Sequence, residues 1–227
     1  MHQNQKSRKW RFVLLVFLVA TVMLPKANVN ALTQKQKALN AYNKFLAKSS
    51  VPIASAGKTC YRSWQPYTYK GTKASQVLFG LAYIDNDGIP ELVLKTTNNG
   101  STVLTSIFTY TNGKVKRVLQ LTNDYAHIDG YYYKANSFKY TQLDEGGDKE
   151  EYYSVFNKGK TYRKLRKDSN TYGYYAPVYR KVTSDPWGGV ISQSEFVKIR
   201  KNMTRSKTLS KIKYYKDTAY NRKRILR

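Results

Sequence analysis

The sequence is poor in the residues that build compact chemical sites. Its 227 residues contain one Cys and two His. A disulfide framework is excluded, and a histidine-based metal centre has too few ligands. Acids are scarce, with 14 Asp+Glu against 40 Lys+Arg and a formal net charge of +26. No G-x-S-x-G, H-E-x-x-H or Gly-rich phosphate loop occurs. Cys60 and His127 form the sole conceivable thiol dyad of the processed chain, and nothing in the sequence brings them together. After Leu24 no apolar run approaches the roughly 20 residues that a membrane-crossing helix needs.

Aromatic residues are abundant. The chain carries 21 Tyr and 8 Phe within a 41% apolar fraction, enough to bury a core despite the charge. The opening residues form a separate unit. Lys6, Arg8, Lys9 and Arg11 precede an uncharged run of 13 residues, Phe12 to Leu24, which Pro25 ends. That run is too short to span a bilayer, and Val29-Asn30-Ala31 supplies small residues at a cleavage site. Residues 1–31 are therefore read as a signal peptide, with the mature chain starting at Leu32. No Cys follows the run to carry a lipid, and no transmembrane anchor is expected after cleavage. The expected location is secreted or cell-wall associated.

Residues 32–227 read as a single α+β domain: an N-terminal helix, an antiparallel β-meander and C-terminal helices. The spacing of Leu39, Tyr42, Phe45 and Leu46 predicts a helix over 33–48, with Thr33 and Gln36 in capping-box form. Residues 49–73 read as an irregular connection packed through Tyr61, Trp64 and Tyr67. From Val77 to about Arg180 the pattern is β. Asn112-Gly113 suits a two-residue hairpin loop, Asn157-Lys158-Gly159-Lys160 a second, and Ala135-Asn136-Ser137 a third turn. Ser192 with Glu195, followed by Phe196, Ile199 and Met203, predicts another helix, and a short one is expected over 218–226. Cys60 is either a buried small hydrophobe or an exposed thiol.

The sharpest local motif is Asp85-Asn86-Asp87-Gly88-Ile89-Pro90-Glu91. Calcium takes six to eight oxygens, and alternate acids with one backbone carbonyl can wrap it. The candidate ligands are Asp85, Asp87, the Ile89 carbonyl and Glu91, with Gly88 at the sharp turn. Tyr83 occupies the position where a further acid would complete the loop, so weak calcium binding is expected. The same residues also make a plain turn between two strands. A second acidic cluster, Asp144, Glu145, Asp148, Glu150 and Glu151, reads as a solvated hairpin tip pairing with nearby lysines.

The string Ala82-Tyr83-Ile84-Asp85-Asn86-Asp87-Gly88-Ile89-Pro90-Glu91-Leu92-Val93-Leu94 resembles a segment of uncharacterised exported proteins of clostridial, gut-type Gram-positive bacteria. Lys35–Tyr42, Tyr110–Lys116, Ile191–Phe196 and Asn221–Lys223 are similar to other parts of the same group. The resemblance implies export and the calcium loop, and it implies no activity.

Residues 196–227 hold 12 Lys+Arg and one Asp, interleaved with tyrosines. Lys211, Lys213, Tyr214, Tyr215, Lys216, Arg222, Lys223, Arg224 and Arg227 are the candidate polyanion-binding residues. Such a segment attracts polyanions, or it serves solubility alone. For an exported chain the expected partner is an anionic cell-wall polymer or acidic glycan, and no specific nucleic acid. The leading functional expectation is a non-catalytic exported domain associating with that polymer. A small envelope hydrolase using two acids distant in sequence, or an effector binding host protein or membrane, are the alternatives.

Overall fold

The computed structural model describes residues 31–54, 59–62, 65–68, 70–98, 101–122, 125–143, 147–157, 159–185 and 188–227. The chain divides into two compact units, Met1–Gln34 and Lys35–Arg227, and every described strand lies in the second. The class is α+β, with three helices among the described residues and antiparallel pairing between the strands.

Helix α1 (Ala31–Leu46) runs through Thr33, so the capping box expected there does not mark its start. The segment read as an irregular connection contains short strands. β1 (Ser50–Val51) pairs with β4 (Thr72–Lys73), and β2 (Thr59–Arg62) pairs with β3 (Gln65–Thr68). Trp64 and the side chains of Cys60, Tyr61 and Tyr67 lie outside the described residues.

Two larger sheets follow. β5 (Val77–Ala82), β6 (Glu91–Asn98), β7 (Ser101–Thr111) and β8 (Lys114–Leu121) run in sequence order. Asn112 and Gly113 turn β7 into β8 with φ of 50° and 75°, the left-handed pair that a two-residue hairpin demands. The second sheet holds β9 (His127–Tyr132), β10 (Ser137–Leu143), β11 (Asp148–Asn157), β12 (Lys160–Asn170), β13 (Val178–Lys181) and β14 (Gly189–Ile191). Gly159 turns β11 into β12, and Lys158 lies outside the described residues. The turn between β9 and β10 falls at 133–136, where Lys134 and Asn136 take positive φ.

Alternation along the strands sorts the core into three parts. Phe79, Leu92 and Leu94 face α1 and meet Leu39, Tyr42 and Leu46. Ala82, Val93 and Ile107 face the second sheet and meet Phe138, Tyr140 and Tyr152. The outer face of the second sheet presents Tyr153 and Leu165 to Phe196 of helix α2 (Gln193–Thr204). Ser192 caps α2 by accepting from the Glu195 amide at 3.1 Å, and Arg205 ends it in the left-handed region.

The basic C-terminal segment is built into this scaffold. β15 (Leu209–Ser210) pairs with β9, and β16 (Tyr215–Lys216) pairs with β5. One stretch of chain therefore completes an edge of each large sheet. Helix α3 (Ala219–Ile225) follows, capped by Thr218, and Leu226 is buried against the α1 side of the core. Gly80 and Gly130 let this strap lie close. A Cβ at Gly80 would meet Ile212 Cγ2 at 2.6 Å and the Lys213 carbonyl at 2.7 Å.

Candidate functional site

The acidic loop leaves β5 and enters β6. Asp85 Oδ1 accepts the Asp87 amide at 3.2 Å, and Asp87 Oδ1 accepts the Ile89 amide at 2.7 Å. Gly88, with φ of 80°, permits the reversal between them. Glu91 is the first residue of β6 and is 0% exposed. Its carboxylate accepts the Ile84 amide at 3.1 Å and the Thr109 hydroxyl at 3.4 Å. Glu91 thus lies beneath the loop and ties its entry to its exit.

Three carboxylates share this turn, and among the described residues no Lys or Arg forms a salt bridge with any of them. Burial, then a hydrogen bond and charge shared with Asp87, raise the Asp85 pKa to about 6. Burial, then the Asp85 charge, push Glu91 well above the usual carboxylate range. Among the described residues, no three carboxylate, imidazole or thiolate groups are gathered as a metal cluster. Asp85 and Asp87 spend an oxygen each on the loop's own amides. The loop is also latched to the second sheet: the Lys134 amide donates to the Tyr83 carbonyl at 3.0 Å, and the Asn136 amide to the Ile84 carbonyl at 2.8 Å.

The candidate polyanion-binding residues separate into two groups. Lys213 Nζ lies 5.6 Å from the Tyr215 ring centre, and the Arg224 guanidinium lies 5.3 Å from the same ring. Arg224 also sits 5.6 Å from the Tyr220 ring, and Tyr220 is widely exposed. These four residues make one cation–aromatic cluster on β16, the residues just before it and α3. Lys211, Lys216, Lys223 and Arg227 are exposed around the same segment.

Tyr214 and Arg222 serve the fold instead. Tyr214 packs into the core between the two sheets, with the Lys95 ammonium 4.4 Å from its ring, and burial raises its phenol pKa. Arg222 is ion-paired to the buried Asp217 at 2.5 Å. Tyr215 is half-buried, with its ring 6.1 Å from Phe79.

The second acidic cluster straddles the connection from β10 to β11 and extends into β11. Asp148, Glu150 and Glu151 lie within β11, while Asp144 and Glu145 fall outside the described residues. Alternation sends Glu151 to the α2 side, where Lys139, Lys149 and Lys167 surround it. Asp129 joins this cluster through Lys139 and His127, each at 3.0 Å. Burial raises the Asp129 carboxyl, but these hydrogen bonds prevail and leave its pKa at about 2. His127 is thus engaged with a carboxylate.

Asp148 and Glu150 face the other way, into a cleft of about 490 Å³ on the second sheet. Asp168 and the guanidiniums of Arg166 and Arg180 share its floor. Arg166 is 8% exposed and pairs with Glu150 at 2.6 Å and with Asp168, which Arg180 Nε also reaches at 2.7 Å. Sequence reasoning did not single out these arginines. The available signal was alternation along 164–168, with Arg166 and Asp168 on one face and Lys167 on the other.

No protein-family model, curated protein or solved structure matches this chain.

Proposed function

We propose that the chain is an exported, non-catalytic binding domain whose residues 1–31 are removed on export. It associates with an anionic polymer of the cell envelope through its C-terminal strap. The observation that carries this reading is the cluster of Lys213, Tyr215, Tyr220 and Arg224, flanked by exposed lysines and an arginine on backbone paired to both large sheets. A row of cations held on a rigid element gathers phosphate or carboxylate groups without first ordering a flexible tail. Exposed tyrosine adds a face for stacking.

The test is a pull-down of the full chain on cell walls with and without teichoic acid, at low and high salt. Retention is expected only on the teichoic acid-bearing walls, falling steeply with salt through counterion release. Replacing Lys213 and Arg224 together by Ala should flatten that salt dependence, whereas Arg222→Ala should act through stability. Salt-independent retention, or equal retention on stripped walls, overturns the reading.

The acidic loop supports a second, separate reading as a weak calcium site, with Asp85, Asp87, the Ile89 carbonyl and Glu91 as ligands. What favours it is that Asp85, Asp87 and Glu91 lie on one turn and, among the described residues, form no salt bridge in a chain crowded with lysines. The expected dissociation constant is roughly 10⁻⁴–10⁻³ M, as in extracellular modules. Calorimetry of the wild type and Asp87→Ala decides it, with heat expected only from the wild type. No heat in the wild type leaves the segment a turn.

A further inference from the structure

The cleft between the ends of β10 to β13 differs in charge from the rest of the protein. Asp148, Glu150 and Asp168 line it with Arg166 and Arg180, so it carries no excess of positive charge in a chain of net charge +26. It is also locally ordered. Register places Glu150 opposite Asp168 and Asp148 opposite Asn170, and Arg166 lies beside Arg180 on the neighbouring strand. Arg166 is paired to Glu150 and Asp168, and Arg180 to Asp168, which fixes both guanidiniums in the cleft.

Tyr175 lines the cleft, and it belongs to a tyrosine-rich turn that follows β12. Tyr172, Tyr174 and Tyr175 are 65%, 79% and 42% exposed, three of the seven exposed large hydrophobic residues among those described. The Tyr172 and Tyr174 rings lie 5.7 Å apart, tilted by 37°. This turn is tied to Asp148 in the cleft. Asn170 donates to Asp148 at 2.7 Å and accepts the Tyr172 amide at 2.8 Å, while the Tyr175 hydroxyl donates to Asp148 at 2.8 Å. The Thr171 amide reaches the Gly147 carbonyl at 2.8 Å. Gly147 suits this place by its positive φ of 78°, and its missing Cβ leaves room for the Tyr172 ring.

We infer that this cleft binds a neutral oligosaccharide, stacking sugar rings on Tyr172 and Tyr174 and receiving their hydroxyls among the carboxylate and guanidinium groups of the floor. The C–H face of a pyranose is apolar and slightly positive, and it suits the negative face of a tyrosine ring. Paired hydroxyls both donate and accept, and a lining that mixes Asp, Glu and Arg offers both functions. The cleft volume of about 490 Å³ lies within the roughly 300–1,000 Å³ of small-molecule sites. A polyanion would gain little from a lining with three carboxylates against two guanidiniums and would collect on the strap. The two sites use different residues and stand or fall separately.

The full chain is titrated by calorimetry with cellotetraose, chitotetraose and maltotetraose, and separately with poly(glycerol phosphate) teichoic acid. At least one neutral tetrasaccharide is expected to bind with an affinity unchanged between low and high salt. Tyr174→Ala should weaken that binding about tenfold, as loss of one stacking ring does. The exposed position of Tyr174 leaves folding intact. Asp168→Asn should weaken it further, with folding checked by circular dichroism. Backbone amide shifts should move at 147–150 and 170–175. Teichoic acid binding should be unaffected by Tyr174→Ala. Failure of all three saccharides to bind overturns the inference. So does binding that Tyr174→Ala leaves unchanged, or that falls with salt as the teichoic acid interaction does.

Discussion

The phenol of Tyr42, on α1, donates a hydrogen bond to the carbonyl of Pro90 at 3.0 Å. Tyr42 is buried in the core beneath the first helix, and Pro90 is the last residue of the acidic loop before β6. Helix packing and loop shape are therefore joined through one bond. Burial, then the charges of Glu91, Asp87 and Asp85, raise the Tyr42 pKa, so the hydroxyl remains a donor throughout the neutral range.

Tyr42→Phe removes that donor while keeping the ring. The Pro90 carbonyl loses its partner inside the protein, and a cost of about 1 kcal/mol is expected. Urea unfolding should show a lower midpoint with an unchanged slope, since the buried surface stays the same.

Stability of the metal-free protein should depend on pH through the acidic loop. The Asp85 carboxyl has its pKa raised from 3.8 to about 6 in the folded chain. A raised carboxyl favours the fold while protonated, and that contribution is lost as pH climbs from about 4 through 6. Glu91 acts with the same sign. Asp85→Asn removes one of the repelling charges, so it should flatten this decline and leave the metal-free variant at least as stable as wild type at pH 7. Urea melts at pH 4 and pH 7, without calcium, check it. Adding millimolar calcium should stabilise the wild type at pH 7 more than at pH 5 and should not stabilise the variant.

Gly130→Ala should loosen the strap. A Cβ there would fall well inside contact distance of the Ser210 carbonyl, the backbone that forms β15. Strain of this kind costs about 1–3 kcal/mol. Limited proteolysis should then release C-terminal fragments that the wild type retains. Equal resistance in both proteins would show that β9 and β15 separate without cost.

The exported form should begin at Leu32. N-terminal sequencing of protein recovered from the culture medium or cell wall checks this, and an intact Met1 contradicts it.

The features most legible in the sequence are those whose geometry is local. Asn112-Gly113 demands positive φ at two neighbours, and Ser192 with Glu195 closes a cap within one turn, so neither depends on distant chain. The Asp85–Glu91 turn is local too. The burial of Glu91 was not visible, because it depends on Thr109 arriving from β7. Along the strap, Ile212 and Tyr214 alternate with Lys211 and Lys213, which is a strand pattern with one face inward. The charge of the segment drew attention to its tyrosines as surface residues, and period two would have placed Tyr214 inside. The cleft was hidden for a different reason. Its groups come from four strands, and only the register of β11 against β12 puts Glu150 beside Asp168.

The strap also sets an order of events. Tyr215 pairs with Phe79, and Leu209 with Tyr132, so each large sheet has an unfilled edge until almost the whole chain is present. Contacts so distant in sequence form late, after the entropy of closing long loops has been paid. A chain emerging N-terminus first reaches this state only when residues 209–216 are free to pair. Until then β5 and β9 each keep an unpaired edge, which the chain's own later residues cover in part.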